Sequence, residues 1–208
     1  FLSDIINGIL PKTNAVDFLV GYFYYSGYKE LSEQLKSKHI RILIGLDIEI
    51  HITKHICEVE NFRQQLQSRG VLKEEYYAQF IKAFNDTDFL DTEEKIEQFK
   101  MFYSKILDGS LEIRKTLEPC HSKMYLFAYS DIINEGGENP GVLITGSSNL
   151  SYQGLKGRLE LNARFNDKIE YDEGKEIFEE LWKDAIVIAD KDNIDEWNNK
   201  VMKHIWFD

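Results

Sequence analysis

Cysteine is scarce in this sequence. Only Cys57 and Cys120 occur, without CxxC spacing, and they read as free thiols of a reducing, cytoplasmic setting. Long apolar runs are absent too. No stretch approaches the roughly 20 residues that a membrane-spanning helix needs, and no signal peptide is legible. Basic charge is in deficit, with 25 Lys and Arg against 36 Asp and Glu and a net charge of −11, which argues against a generic polyanion binder. Metal-ligand patterns are thin. His51 and His55 are spaced i, i+4 with Cys57 close by, but no acidic cluster joins them, so a metal-dependent hydrolase is disfavoured and no cofactor is expected. Repeats and low-complexity segments do not occur.

What remains is an ordinary globular composition, 43% hydrophobic and 29% charged over 208 residues, enough for one substantial core. The chain opens without Met and stops abruptly at "HIWFD", so a piece of a longer protein is expected. Charge is unevenly spread. Residues 1–111 carry 13 basic and 17 acidic side chains, residues 112–164 six of each, and residues 165–208 six basic and 13 acidic. The balanced middle segment holds Arg114, Lys115, Lys123, Lys156, Arg158 and Arg164. These are either solvated surface charges or a phosphate-binding face.

Periodicity predicts an α/β fold with a mixed central sheet flanked by helices. "FLSDIINGIL" reads as a short helix ended near Pro11, and "AVDFLVGYF" as a strand apolar enough for the middle of a sheet. Tyr28, Leu31 and Leu35 share one helical face, and "HIRILIGL" is a second buried strand, so the start has the footprint of a βαβ crossover. A charged helical insertion is expected over 57–108, with "NDTDFLDTEE" as a loop ending in an Asp or Thr cap. "SLEIRKTL", "HSKMYLFAY", "GVLITGSSN" and "RLELNARF" read as strands, with the turn-rich "NEGGENPG" between the second and third. An amphipathic helix is expected over 173–186 and another near the end, making 168–208 an acidic helical part of a single domain over 1–208.

Three successive strand ends then present polar groups: His121 and Lys123, the run Gly146-Ser147-Ser148-Asn149, and Glu160 with Asn162. Residues two apart on a strand share a face, so His121 and Lys123 would converge, and burying both is costly unless an anion meets them. A glycine followed by Ser, Ser and Asn lets donors approach that anion closely, and a lysine adds a point charge suited to phosphate. Histidine there serves as nucleophile or general acid. Each element alone has a plain structural reading; their occurrence in order, at strand ends, points to a phosphodiester site.

"HSKMYLF", "VLITGSSNLSYQGL" and "ELN" together resemble the HKD signature of the phospholipase D superfamily, which reads H-x-K, four residues, D, then G-S-x-N, with a glutamate following in the nuclease branch. His121 and Lys123 match H-x-K, Gly146, Ser147 and Asn149 match G-S-x-N, and Glu160 matches the nuclease acid. "VGYFYYSGYKEL" and "IRILIGLD" resemble the opening of such domains fused to superfamily 2 helicases and restriction-type enzymes. The resemblance covers roughly 15–50 and 110–165. It departs at the signature aspartate, where Ala128 stands, either a branch marker or the sign of a weakened site.

The resemblance implies a metal-independent DNA nuclease domain. His121 would attack phosphorus, with Lys123, Ser147 and Asn149 on the non-bridging oxygens and Glu160 holding the imidazole by a hydrogen bond. Gly146, Ser148, Lys156 and Arg158 would contribute substrate binding. Only one H-x-K copy is present, so the family's two-copy site implies a homodimer, and the fused relatives imply a covalently linked helicase or ATPase domain. Two alternatives stay open: a catalytically silent nucleic-acid-binding or dimerisation module, and a lipid hydrolase. The latter is disfavoured by the acidic tail and the lack of a basic interfacial helix. The aromatic "YFYYSGY" is either core or a base-stacking platform.

Overall fold

β1 (Thr13–Phe23) runs through the middle of a seven-stranded sheet, as its apolar sequence requires. In this computed structural model the described residues are 1–48, 69–84, 92–157 and 160–205. Arg158, His51, His55, Cys57 and parts of the expected insertion lie outside them. The strand order is β6-β5-β4-β1-β2-β3-β7. β2 (His39–Ile48) lies parallel to β1 and to β3 (Leu111–Lys115). β4 (Met124–Tyr129), β5 (Gly141–Gly146) and β6 (Asn162–Phe165) add antiparallel on the other side of β1, and β7 (Ile186–Ala189) closes the far edge antiparallel to β3. The sheet is therefore mixed, as expected, and the β1–β2 pair with its intervening helix is the expected crossover.

Alternation along β1 separates two cores. Val16, Phe18 and Val20 face a large aromatic layer; Asp17 and Leu19 face the opposite side. The large layer receives α1 (Leu2–Ile9), α2 (Tyr25–Leu35), α3 (Arg69–Phe84), α4 (Glu93–Asp108) and α6 (Ile194–Lys200), through residues such as Ile6, Tyr28, Phe80, Phe102 and Trp197. α3 and α4 are the described part of the predicted insertion. Thr92 caps α4, its Oγ1 accepting from the Lys95 N–H, and Gly109 ends it in a left-handed conformation.

The opposite face is covered by α5 (Lys168–Asp184), whose Tyr171, Phe178 and Trp182 pack on Leu19, Leu43, Met124, Leu126 and Leu143. Here the sequence-based expectation needs correction. The helix starts earlier than 173 and stops at Asp184, and Ile186 belongs to a strand. The four-residue "IVIA" continues the helical spacing of Phe178 and Trp182, and a run that short carries no period that separates strand from helix. Pairing with β3 decides it. "HSKMYLFAY" is likewise a strand only from Met124, so His121 and Lys123 stand at its entrance rather than inside it.

Candidate functional site

The approach to His121 is tied to the end of β2. The Gly45 carbonyl accepts from the Cys120 N–H at 3.0 Å and from the Lys115 ammonium at 2.9 Å. Lys115 is fully buried and also donates to the Thr116 carbonyl at 3.0 Å, so its charge serves the backbone rather than a ligand. A Cβ on Gly45 would stand 1.8 Å from the Cys120 carbonyl oxygen, so only glycine admits this approach.

Beyond this anchor, His121 is exposed and Lys123 is half-buried. The Lys123 ammonium donates to the His121 carbonyl at 2.7 Å, its one hydrogen bond among the described residues, and the Lys123 carbonyl accepts from Thr145 Oγ1 at 2.8 Å. Burial holds the Lys123 pKa below the ordinary lysine value, while Cys120 and the Glu160 carboxylate act in the opposite direction. The ammonium is thus partly desolvated, with hydrogens left to give.

The loop after β5 lies beside the last residues of β1, beyond the point where β4 begins opposite Leu19. Phe23 pairs with Leu150, the Tyr24 N–H donates to the Leu150 carbonyl at 3.2 Å, and the Tyr22 N–H donates to Asn149 Oδ1 at 3.2 Å. Two glycines permit this: a Cβ on Gly27 would lie 2.4 Å from the backbone of Leu150 and Ser151, and one on Gly146 would lie 2.2 Å from the Leu161 carbonyl oxygen. Ser148 is turned inward. Its Oγ accepts from Asn162 Nδ2 at 2.9 Å and its carbonyl accepts from the buried Tyr125 hydroxyl at 2.8 Å. It shapes the loop and does not face the cleft, unlike the exposed Gly146 and Ser147 and the half-buried Asn149.

Glu160 comes from the segment entering β6. Its Oε2 accepts a hydrogen bond from Ser147 Oγ, which itself accepts from the Leu161 N–H at 3.1 Å. The expected hydrogen bond from His121 to Glu160 is not formed; the carboxylate accepts from Ser147 instead. Beside Glu160 and Asn162 a cavity of about 500 Å³ opens against Phe1, Leu2 and Ile5. Lys156, a predicted substrate ligand, is ion-paired with Glu30 at 2.5 Å. Arg114 lies over Trp182 on the α5 side, its guanidinium carbon 4.4 Å from the ring centroid.

Four of the five predicted catalytic residues are therefore linked directly or through one backbone group, as Lys123 with His121 and Ser147 with Glu160, and Asn149 joins them above Gly21. A Cβ built on Gly21 would lie 3.4 Å from Asn149 Oδ1 and 3.6 Å from Lys123 Nζ. Sequence reasoning did not single out Gly21, Gly45 or Tyr125, and took Tyr22 and Gly27 only as part of the aromatic "YFYYSGY". Their contributions are backbone groups, empty space and one buried hydroxyl, which leave no motif. Among the described residues no three His, Cys, Asp or Glu side chains gather as metal ligands.

A seven-stranded mixed sheet with these groups at one end of its central strands has its counterpart among known families. The family model described as "Cardiolipin synthase, PLD-like domain" matches residues 18–182. The chain belongs to this PLD-like family. Solved structures similar to it include Nuc, a phospholipase D family member from Salmonella typhimurium, at 10% identity over 88% of each chain with a TM-score of 0.45. NucT from Helicobacter pylori is similar at 11% identity over 89% of each chain, TM-score 0.44. Polyphosphate kinase from Porphyromonas gingivalis is similar at 11% identity over 98% of this chain and 25% of that one, TM-score 0.43. Comparison with curated proteins found no match. No helix among the described residues is long and apolar enough to cross a membrane.

Proposed function

We propose that this chain is a phosphodiesterase domain, a DNA endonuclease in particular, that reacts through a phosphohistidine on His121. The observation that carries the reading is the half-buried Lys123 ammonium, with only a carbonyl acceptor, facing the same small space as Asn149 beside an exposed histidine. An under-satisfied cation next to a nucleophile is what a phosphoryl group would complete.

The reaction runs in two balanced steps. A His121 ring nitrogen attacks phosphorus, the bond to the leaving oxygen breaks, and that oxygen takes a proton from the partner subunit's His121. Water then attacks phosphorus, gives its proton to the partner subunit's His121, and the P–N bond breaks to release phosphate ester and free histidine. Lys123, Ser147 and Asn149 hold the non-bridging oxygens as charge builds on them. Glu160, by holding the Ser147 hydroxyl, sets the direction in which that group meets the substrate.

Two histidines are needed within reach of one phosphorus, so the functional unit is an isologous homodimer with the two copies of 121–123 and 146–149 facing a shared cleft. The exposed position of His121 and Ser147 leaves them free to meet a second copy, and Leu161, 85% exposed between Glu160 and Asn162, provides apolar surface there. A linked helicase or ATPase domain in the full protein would present the DNA. Ala128 does not stand against activity. It pairs with Ala15 and Gly141, five residues along β4 from Lys123 and about 17 Å away, so the missing acid is not one of the groups around the phosphate seat.

The test is cleavage of DNA by the purified chain in EDTA, beside a His121→Ala variant and vesicles containing cardiolipin as a lipid substrate. Cleavage of DNA in EDTA that the variant lacks is expected. Cleavage that requires magnesium, or hydrolysis confined to the lipid, overturns the reading.

A further inference from the structure

We propose that the cavity between α5 and the entrance of β4 is a ligand site for a small organic cation, an ammonium or guanidinium group carried on an apolar body. This goes beyond the phosphodiesterase reading and does not depend on it.

The cavity measures about 360 Å³, near the lower end of the roughly 300–1,000 Å³ that small-molecule pockets occupy. Leu19, Met124, Leu143 and Phe165 from the sheet and Ile177 and Leu181 from α5 make its walls apolar. Ile177 is left 52% exposed there. The helix can approach the sheet this closely because residue 174 is glycine. A Cβ at that position would stand 3.1 Å from Leu143 Cδ2 and 3.3 Å from Met124 Sδ, tighter than ordinary contact.

The charged groups in the wall have one sign. Glu170 and Glu173 line the cavity, and no lysine or arginine does. Two lysines of the same helix are committed elsewhere, Lys168 to Asp172 and Lys175 to Asp17 and Glu179. Glu170 is the third residue of α5, where the helix dipole favours negative charge. Its Oε2 is buried and accepts no hydrogen bond from any described residue. A buried carboxylate oxygen without a donor is costly. A cation bearing N–H groups supplies donor and charge together, and its apolar body covers the remaining wall. An anion would meet two carboxylates and no cation, and a neutral apolar molecule would leave Glu170 as it stands.

The cavity also borders the H-x-K pair. Ser122, between His121 and Lys123, lines it, as does Thr145, whose hydroxyl donates to the Lys123 carbonyl at 2.8 Å. Neither His121 nor Lys123 is part of the wall. An occupant therefore registers in the backbone around the pair without taking the groups that would meet phosphate.

Phenylbutylamine is the probe, with phenylbutanol and phenylbutyrate as its neutral and anionic counterparts. Each is titrated into the purified protein by calorimetry, and amide NMR shifts locate the binding. The amine should bind about tenfold or more tightly than either counterpart and move the amides of Ser122, Thr145, Gly174 and Ile177. Glu170→Gln should weaken the amine about tenfold and the more exposed Glu173→Gln about threefold, with melting midpoints equal to or above that of the wild type. Glu176→Gln, on the same helix but off the cavity wall, should change nothing. No binding of the amine, equal affinity for phenylbutyrate, wild-type affinity in Glu170→Gln, or shifts confined to another surface each overturns the proposal.

Discussion

Two places in this sheet bring cations and carboxylates together, and they end in opposite states. Under α5, Arg41 donates to both oxygens of Asp17 at 2.6 and 2.9 Å and to both oxygens of Glu179 at 3.1 and 2.6 Å. Lys175 bonds Asp17 as well and lies 3.2 Å from Glu179, while the guanidinium sits over the rings of Phe178 and Trp182. Every charge there has its partner, and the cluster fastens α5 to β1 and β2. At the ends of β4 and β5, Lys123 meets only a carbonyl, and among the described residues no hydrogen bond of the His121 ring is formed. The satisfied cluster holds the fold, and the unsatisfied one is available to a substrate, since desolvation without a partner is tolerated only where something else completes it.

Mutations should separate the two. His121→Ala is expected to lower turnover about 10³-fold or more with no change in the melting midpoint. A variant that cleaves at the wild-type rate removes His121 from the mechanism. Arg41→Ala is the mirror experiment. It should cost about 3 kcal/mol of stability, because Asp17 is left buried with a weakened set of partners, while the turnover of the protein that remains folded stays near wild type. Denaturant unfolding and activity on the same samples check both halves.

Smaller effects sharpen the contrast through pH. Burial lowers the Lys123 pKa, so its charge is lost at a lower pH than the ordinary 10.5. Phosphate affinity should therefore fall on the alkaline side before an ordinary lysine would titrate, and Lys123→Arg should move that limb upward. A limb in the same place for both excludes Lys123 from anion binding. In the satisfied cluster, Arg41 holds Glu179 down at about 2 against an ordinary 4.5. Its contribution is present above 4.5 and lost as pH falls through about 2. Since 47% of that side chain is exposed, it amounts to about 1 kcal/mol. Acid unfolding of Glu179→Gln should match the wild type below that range and lag it by this amount at neutral pH.

The sequence was legible where side chains carry the signal in a short stretch. Phe18, Val20, Ile42 and Ile44 marked two central strands because alternation and apolarity mark any buried strand. Tyr28, Leu31 and Leu35 marked the crossover helix, and the H-x-K and G-S-x-N pairs marked the site's donors through their spacing. β7 was not legible, for "IVIA" fits either period and depends on an edge of β3 more than 70 residues earlier. The entrance position of His121 was hidden as well, because where a strand begins depends on its neighbour's register rather than on its own residues.

The sequence by itself determined the βαβ start, the mixed sheet with its covering helices, and the identity of the groups able to meet a phosphate. These follow from local periodicity and from chemistry that each residue carries wherever it stands. The tertiary structure decided which of those groups are spent and which are free. Glu160 became the partner of Ser147 rather than of His121, Ser148 turned inward to Asn162 and Tyr125, Lys156 was taken by Glu30, and Lys115 was committed to the backbone of β2. The physical reason is the same in each case. A hydrogen bond depends on distances of about 3 Å between groups far apart in the chain, and no local pattern sets those distances until β1, β2, β4 and β5 are packed side by side.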